Sequence, residues 1–357
     1  MTQSGLSSKV ALSDFDIFSQ FLEKACGIVL GKNKEYLVKS RLRKILNDNK
    51  IDTLAELVKI IERNPRDNLR GKVIDAMTTN ETLWFRDNYP FEVFKKTILP
   101  ELCKRYPNQR LRLWSAACSS GQEPYSISMA TDEFERTSLG QLKAGLQIIA
   151  TDLSNKVLAE CRQGEYDSLA LGRGLSEERL KRYFNELQGK RWEVKPEVKK
   201  RIEFKELNLQ ESYASLGKFD VVFCRNVLIY FSAEFKRDIL TRIHKTLKPG
   251  GYLFLGASEA LNGLSDLYEM VQCRPGIMYV SKGEDVFARG SARSSSIGSA
   301  TTKSSPPTRS TSTTRSTSSP TTTTRPSTIR STPSQTTKKP MSTTSDSSRF
   351  KPKPTKE

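Results

Sequence analysis

The stretch that most constrains the fold is LRLWSAACSSGQEPY, residues 111–125. Residues 111–114 form a short apolar run, which predicts a buried strand. Residues 116–121 have almost no side-chain bulk, and an apolar pattern of helical spacing begins after Pro124. A strand, a small-residue turn and a helix N-terminus bring backbone N–H groups to a place where a ligand can meet them. On these residues alone, a tight strand–helix connection without a ligand is an equal alternative.

The turn is distinct from two common phosphate-binding motifs. GxGxxG needs three glycines and only Gly121 is present, and no Gly-Lys-Ser/Thr follows as in a P-loop. A second buried strand, residues 146–150, leads to Asp152. An acidic residue at such a strand end accepts hydrogen bonds from ribose hydroxyls in nucleotide-binding sheets. Capping of the following helix by Asp152 or Ser154 is the alternative, and both roles are compatible.

Strands and helices continue to alternate along the chain. KFDVVFCRN and YLFL predict two further strands, and residues 278–280 are expected to close the sheet antiparallel. This alternation predicts an α/β fold with a doubly wound, mostly parallel sheet. Ligands bind such sheets at the carboxyl ends of the strands, where Gly121, Asp152, Arg225 and Asn226 fall. Residues 165–205 have a different pattern, a helix and then short strands around a glycine, which we interpret as a small β insertion.

Residues 1–78 predict an all-α domain of four helices. Ser13 and Asp16 are typical of a helix N-cap, and a second helix spans residues 36–46. Lys39, Arg43 and Lys44 point away from the apolar side of that helix, and Arg41 flanks it. These cations are either a solvated face or a docking surface for something acidic.

The segment TTNETLWFRDNYPF, residues 78–91, is too aromatic for a simple linker. We predict that it packs against a site and contributes Asn80, Thr82 and Arg86 as polar contacts.

The overall composition indicates which cellular compartment and which partners to expect. The chain has 357 residues and a formal charge of +18, half of it in residues 284–357. That stretch is rich in Ser, Thr and Pro, which predicts a disordered tail. Three alternatives stay open for its function: an inert tail, a polyanion-binding tail, or a tether to a partner. Six scattered cysteines without a CxxC pair predict buried free thiols and no metal site. With no membrane-length apolar segment and no signal-peptide pattern, we expect a cytoplasmic monomer without membrane insertion.

Several of these segments together resemble the CheR family of chemotaxis receptor methyltransferases. WSAACSSGQEPYS, ATDLS, FCRNVLIYF and LKPGGYLFLGASE occur in order, after GIVL and TTNETLWFRD, within residues 10–283. The resemblance implies a methyltransferase domain over residues 79–283 that uses S-adenosyl-L-methionine. It implies methylation of glutamate side chains on methyl-accepting chemotaxis proteins, the activity of a protein-glutamate O-methyltransferase. Carried over by position, the implied cofactor contacts are Asn80, Thr82, Arg86, Glu123, Asp152, Asn208, Leu209, Arg225 and Asn226.

The resemblance also implies catalytic positions. Tyr230 would border the methyl-transfer site, and Arg86 would pair with a carboxylate of the substrate or the cofactor. A glutamate carboxylate is already ionised near neutral pH, so this transfer needs no general base. His244, the only histidine, has no catalytic setting. The receptor's acidic helix would dock on Lys39, Arg41, Arg43 and Lys44. Residues 188–200 of the insertion are a short stretch with one glycine, which predicts no tethering to a receptor peptide.

Two other functions are weighed against this one. A nucleic-acid methyltransferase would suit the basic charge, but the strand end is CRNVLIYF rather than an Asn-Pro-Pro-Tyr type of base site. A non-catalytic scaffold with the same fold is disfavoured by intact Arg86, Asp152 and Asn226. We therefore expect no nucleic-acid partner.

Overall fold

The structure, a computed structural model, describes residues 12–64, 67–261 and 263–283. The predicted disordered tail, residues 284–357, lies outside the described residues. No helix in the described part of the chain is long and apolar enough to cross a membrane.

The N-terminal domain is all-α, as predicted. Its first helix has a capping box, in which the Ser13 hydroxyl accepts from the Asp16 N–H and the Asp16 carboxylate accepts from the Ser13 N–H. Phe18, Leu22 and Leu42 are fully buried in its core. The four helices are α1 Asp14–Cys26, α2 Glu35–Asn49, α3 Leu54–Arg63 and α4 Asn68–Met77.

The second domain is a seven-stranded sheet flanked by helices. A π-helical turn, Phe94–Ile98, joins its first two helices into one continuous stretch. In chain order the elements are α5 Tyr89–Val93, α6 Leu99–Arg105, β1 Leu111–Ala116, α7 Gln122–Thr137, β2 Leu146–Asp152, α8 Asn155–Gln163, β3 Glu165–Asp167, α9 Ser168–Leu171, α10 Glu177–Tyr183, β4 Phe184–Leu187, β5 Arg191–Val194, α11 Pro196–Lys199, β6 Ile202–Glu206, β7 Phe219–Cys224, α12 Ala233–Thr246, β8 Leu247–Leu255, β9 Tyr268–Cys273 and β10 Gly276–Ser281.

The strand order explains where a ligand can bind. The order is β6-β2-β1-β7-β8-β10-β9, with β6 to β8 parallel and β10 antiparallel to both of its neighbours. The chain reverses direction across the sheet between β1 and β7, which is the switch point of a doubly wound fold. The expected antiparallel closure at residues 278–280 is confirmed by β10.

The core occupies both faces of the sheet. Adjacent β1 side chains alternate between them: Leu113 packs on the side of α7, whereas Trp114 packs on the side of α12. Burial on both faces is the reason that these strands are continuous apolar runs in the sequence. The six cysteines are free thiols, five of them buried and Cys273 half-buried, as predicted.

Three boundaries differ from the sequence prediction. Residues 165–205 do form a small antiparallel sheet, β3-β5-β4, but β6 pairs parallel with β2, so the insertion ends before Ile202. Helix α7 begins at Gln122, ahead of Pro124. Strand β8 runs through Pro249 and Gly250, because an irregularity in its pairing with β7 accommodates that turn sequence.

Candidate active site

One cleft at the carboxyl ends of the strands contains every residue that the resemblance implied for the cofactor and for catalysis. Its floor is the turn after β1 together with the ends of β2 and β7, and residues 77–82 form one wall. The implied residues that line it are Asn80, Thr82, Arg86, Glu123, Asp152, Asn208, Leu209, Arg225, Asn226 and Tyr230.

The turn after β1 brings backbone rather than side chains to the cleft. Ala117, Ser119 and Gly121 have φ angles of 57°, 52° and 91°, in the left-handed region. A Cβ on Gly121 would lie 3.0 Å from the Tyr166 hydroxyl and 3.1 Å from the Cys161 sulfur, so a side chain would crowd both groups. Glycine is therefore favoured at position 121 by the backbone path and by the packing beneath it.

Asp152 lies at the end of β2 and is 7% exposed. Its Oδ2 accepts from the Ser119 N–H at 2.8 Å, and its Oδ1 accepts from the Ser154 N–H at 3.1 Å. Burial raises the pKa of Asp152, while these backbone hydrogen bonds oppose the rise. The cap of α8 is Ser154, whose hydroxyl accepts from Val157 N–H. Since each carboxylate oxygen has a second lone pair, Asp152 retains capacity for ligand hydroxyls.

Arg225 is a buried cation at the end of β7. Its guanidinium donates to Glu123 Oε2 at 3.1 Å, to Asp87 Oδ2 at 2.6 Å and to the Arg86 carbonyl at 2.9 Å. No acceptor for its buried Nε lies among the described residues. Burial raises the pKa of Glu123, and the Arg225 charge and the Ser115 hydroxyl act in the opposite direction. The two carboxylates and the arginine are thus fixed relative to each other before any ligand binds.

The segment that carries Arg86 is sharply bent. Phe85, Asp87 and Asn88 all have φ between 48° and 65°, which is costly for residues other than glycine. The bend is held by the Phe85 N–H, which donates to Ser126 Oγ at 3.0 Å, and by the Arg179 guanidinium, 3.6 Å from the centre of the Phe85 ring. Arg179 belongs to the insertion, which therefore supports the Arg86 segment from outside the cleft.

Glu259 is a site residue that the sequence did not single out. Its carboxylate accepts from the Asn226 N–H at 2.8 Å, the Gly256 N–H at 2.7 Å and the Ile229 N–H at 3.3 Å. It thereby fixes the loop between Asn226 and Tyr230, in which Asn226 has a φ of 59°. A single acid in GASE carries no pattern that would reveal its two long-range bonds, to the Asn226 and Ile229 N–H groups.

The N-terminal domain covers the cleft. Cys26, Ile28 and Met77 line it, and the Val29 N–H donates to the Tyr230 carbonyl at 2.9 Å. The Asn208 amide nitrogen donates to the Ala25 carbonyl at the end of α1, at 2.9 Å.

The side-chain oxygen of Asn208 accepts from the Gln210 N–H at 3.0 Å. Both ends of this side chain are thus held by the protein, which fixes its orientation in the cleft wall.

The four predicted docking residues of α2 separate into two groups. Lys39, Arg43 and Lys44 are exposed, with Lys39 paired to Glu35 at 2.7 Å. Arg41 is half-buried and donates instead to the backbone and one side chain at residues 77–79. The structure places Arg41 at the junction with the cleft wall rather than on the exposed face.

Comparison with known families decides the identity. The family described as "CheR methyltransferase, SAM binding domain" matches residues 80–277, and "CheR methyltransferase, all-alpha domain" matches residues 13–78. The chain belongs to the CheR methyltransferase family. Membership establishes a methyltransferase that uses S-adenosylmethionine in chemotaxis, as the resemblance implied.

Curated relatives agree with this membership. "Chemotaxis protein methyltransferase Cher2" of Pseudomonas putida is 67% identical over 269 residues, covering 75% of this chain and 98% of the relative. "Chemotaxis protein methyltransferase 1" of Pseudomonas aeruginosa is 68% identical over 272 residues, covering 76% and 99%. "Chemotaxis protein methyltransferase" of Vibrio parahaemolyticus is 51% identical over 266 residues, covering 74% and 95%.

The polar and charged groups in the cleft of this CheR chain fit S-adenosylmethionine. The cofactor has ribose hydroxyls, an amino-acid end with both charges, and a sulfonium. The cleft has the Asp152 carboxylate, the Glu123 carboxylate, and the Arg86 and Arg225 guanidinium groups. The orphaned Nε of Arg225 and the small-residue turn at residues 117–121 are consistent with a bound ligand that has acceptor groups.

Proposed function

We propose that this CheR chain methylates glutamate carboxylates on chemoreceptor helices, forming γ-glutamyl methyl esters. The observation that carries the proposal is the cleft itself, in which all ten implied residues meet between two domains. A nucleophile that is already ionised suits a site whose charged groups, Arg86, Glu123 and Arg225, are placed for charge balance rather than proton transfer.

The roles follow from the charges and their surroundings. Asp152 binds the ribose hydroxyls, and Glu123 balances the cofactor's positive end. Arg86 and Arg225 balance its carboxylate. The remaining residues form the walls of the cleft: Asn80, Thr82, Asn208, Leu209 and Asn226.

The cofactor, when bound, would supply a sulfonium methyl group for transfer to a glutamate oxygen. The chain contributes position and desolvation. Tyr230 and the segment that Glu259 fixes hold the substrate side of the cleft, while the N-terminal domain excludes water from above. A carboxylate removed from water and held in line with the methyl group reacts without a base.

Substrate docking is assigned to the exposed face of α2. Lys39, Arg43 and Lys44 present three positive charges on one helix of the domain that covers the cleft. A receptor helix that carries glutamates is acidic and so complementary to this face. The cytoplasmic location, the monomeric state and the absence of a nucleic-acid partner remain predictions.

Transfer of a labelled methyl group tests the proposal. We would incubate the chain with S-adenosylmethionine labelled on its methyl group and either purified receptor fragments or RNA. We expect label on the receptor that mild base releases as methanol, which identifies a carboxyl ester. A receptor fragment with glutamine at the labelled glutamates serves as the control. Base-stable label, or label on RNA alone, would refute the proposed substrate.

A further inference from the structure

Arg41 is hydrogen-bonded to the wall of the cofactor cleft, although it belongs to the helix that the sequence predicts for docking. Its Nη1 donates to the carbonyls of Met77 at 2.8 Å and Thr78 at 3.1 Å, and its Nη2 donates to Thr79 Oγ1 at 3.1 Å. Met77 ends helix α4, and the last carbonyls of a helix lack partners within it. A guanidinium satisfies these groups and also suits the negative end of the helix dipole.

The same short segment is held from its other side by the cofactor turn. Ser119 Oγ donates to the Asn80 carbonyl at 2.9 Å, and the Ser119 N–H is the group bonded to Asp152. Residues 77–80 are therefore fixed between α2 and the turn after β1. All four of these residues line the cleft, next to Thr82.

We propose that Arg41 is a positioning residue of the cofactor site. It holds residues 77–80 as a wall of the cleft, so that Asn80 and Thr82 are in place before the cofactor binds. Its function is thus separate from that of Lys39, Arg43 and Lys44, which share its helix but point to solvent. Helix α2 then has two faces with different tasks, one toward the receptor and one toward the cofactor.

The test separates these two tasks. We expect S-adenosylmethionine to bind Arg41→Ala and Arg41→Lys roughly tenfold more weakly, as measured by calorimetry. In Arg41→Ala the three hydrogen bonds are lost, and in Arg41→Lys the ammonium group cannot reach all three acceptors. The KM for receptor at saturating cofactor should not change. Arg63→Ala removes an exposed arginine from the same domain and should not alter cofactor affinity.

A second measurement is made on the protein without bound cofactor. Amide hydrogen exchange at residues 78–82 of the cofactor-free protein should be faster in Arg41→Ala than in the wild type, with exchange in the β1 and β7 strands unchanged. If Arg41→Ala does not fold, Thr79→Val removes one acceptor and should give the same changes at smaller size.

Two outcomes would overturn the proposal. A folded Arg41→Ala variant with wild-type cofactor affinity and wild-type exchange would make Arg41 a structural residue only. A raised KM for receptor with unchanged cofactor affinity would return Arg41 to the docking surface.

Discussion

Two groups of cations in the described part of the chain lie in contrasting environments, one at the floor of the cleft and one on helix α2. The Arg225 side chain is 1% exposed and bonded to two carboxylates and a carbonyl at the floor of the cleft. Lys39, Arg43 and Lys44 project into solvent from α2. A buried charge has a fixed geometry and fixed partners, whereas exposed charges are mobile and screened. The first kind suits a small ligand held in one pose, and the second suits an extended partner that many weak contacts attract.

Removing Arg225 should have the largest effect. Arg225→Ala leaves Glu123 buried without its counter-charge, so we expect the free energy of unfolding to fall by about 3–5 kcal/mol. Cofactor binding should be lost as well, and chemical denaturation and calorimetry measure the two quantities. The control is Arg201→Ala, which breaks a half-buried pair with Glu135 away from the cleft. It should lower stability while cofactor binding persists. A stable Arg225→Ala variant that binds cofactor normally would refute the role of Arg225 as a buried, fixed charge of the cofactor site.

Asp152→Ala tests the second buried charge. We expect S-adenosylmethionine affinity to fall by about 1–3 kcal/mol, because a buried acceptor for ribose hydroxyls is removed. Asp132→Ala, which removes an acid paired with Arg136 on α7, is the matched control. Unchanged affinity in a folded Asp152→Ala variant would exclude Asp152 from the cofactor site.

The pKa of Glu123 predicts a pH dependence. Burial raises it above the ordinary value of 4.5, so Glu123 gains a proton at a higher pH than an exposed glutamate does. If Glu123 balances the cofactor's positive end as proposed, the proton removes that balancing charge, and affinity should fall as pH decreases through this pKa. The contribution of Glu123 to stability has the opposite slope, decreasing as pH rises through the same pKa.

Calorimetry across a pH series measures the dependence on Glu123. In Glu123→Gln, affinity should be weaker and its change with pH smaller, with Asp152 responsible for the remainder, since burial raises its pKa too. A pH profile identical to that of the wild type would show that Glu123 does not contact the positive end of the cofactor.

The exposed cations should give the smallest effect per residue. Each exposed pair contributes roughly 0–1 kcal/mol, so only a combined change should be measurable. Reversal of Lys39, Arg43 and Lys44 to Glu should raise the KM for receptor, most strongly at low salt, without changing cofactor affinity.

The control for this triple variant reverses three exposed lysines elsewhere on the second domain. Steady-state methylation across a salt series compares the two variants, which have equal net charge. If both methylate receptor normally, the docking surface should be sought in the insertion. The control lysines are Lys104, Lys143 and Lys218.

The sequence predicted what local patterns determine. The apolar runs of β1 and β2, the small-residue turn and the N-cap at Ser13 each depend on neighbouring residues, and each is present in the structure. The resemblance further predicted the cleft residues, because it carries information about positions that are distant in the chain.

Features that depend on distant partners were not predictable from these patterns. Strand β6 has mixed composition and was assigned to the insertion, since only its pairing with β2 identifies it as part of the main sheet. Glu259 and Arg41 are ordinary charged residues in the sequence, and their roles arise from backbone groups that folding brings to them. Asn208 lines the cleft as expected, but its amide is bonded to Ala25.

That last bond has a consequence for the order of folding. Asn208 and Ala25 are 183 residues apart, and Gln210 reaches Glu23 across 187 residues. Contacts between such distant residues form late, because closing a long loop costs entropy before the contact can repay it. We therefore expect a nascent chain to form its helical domain before the cofactor site, which is complete only once the residues up to Phe231 have been synthesised and docked. Binding of S-adenosylmethionine would then require both domains to be folded and docked on each other.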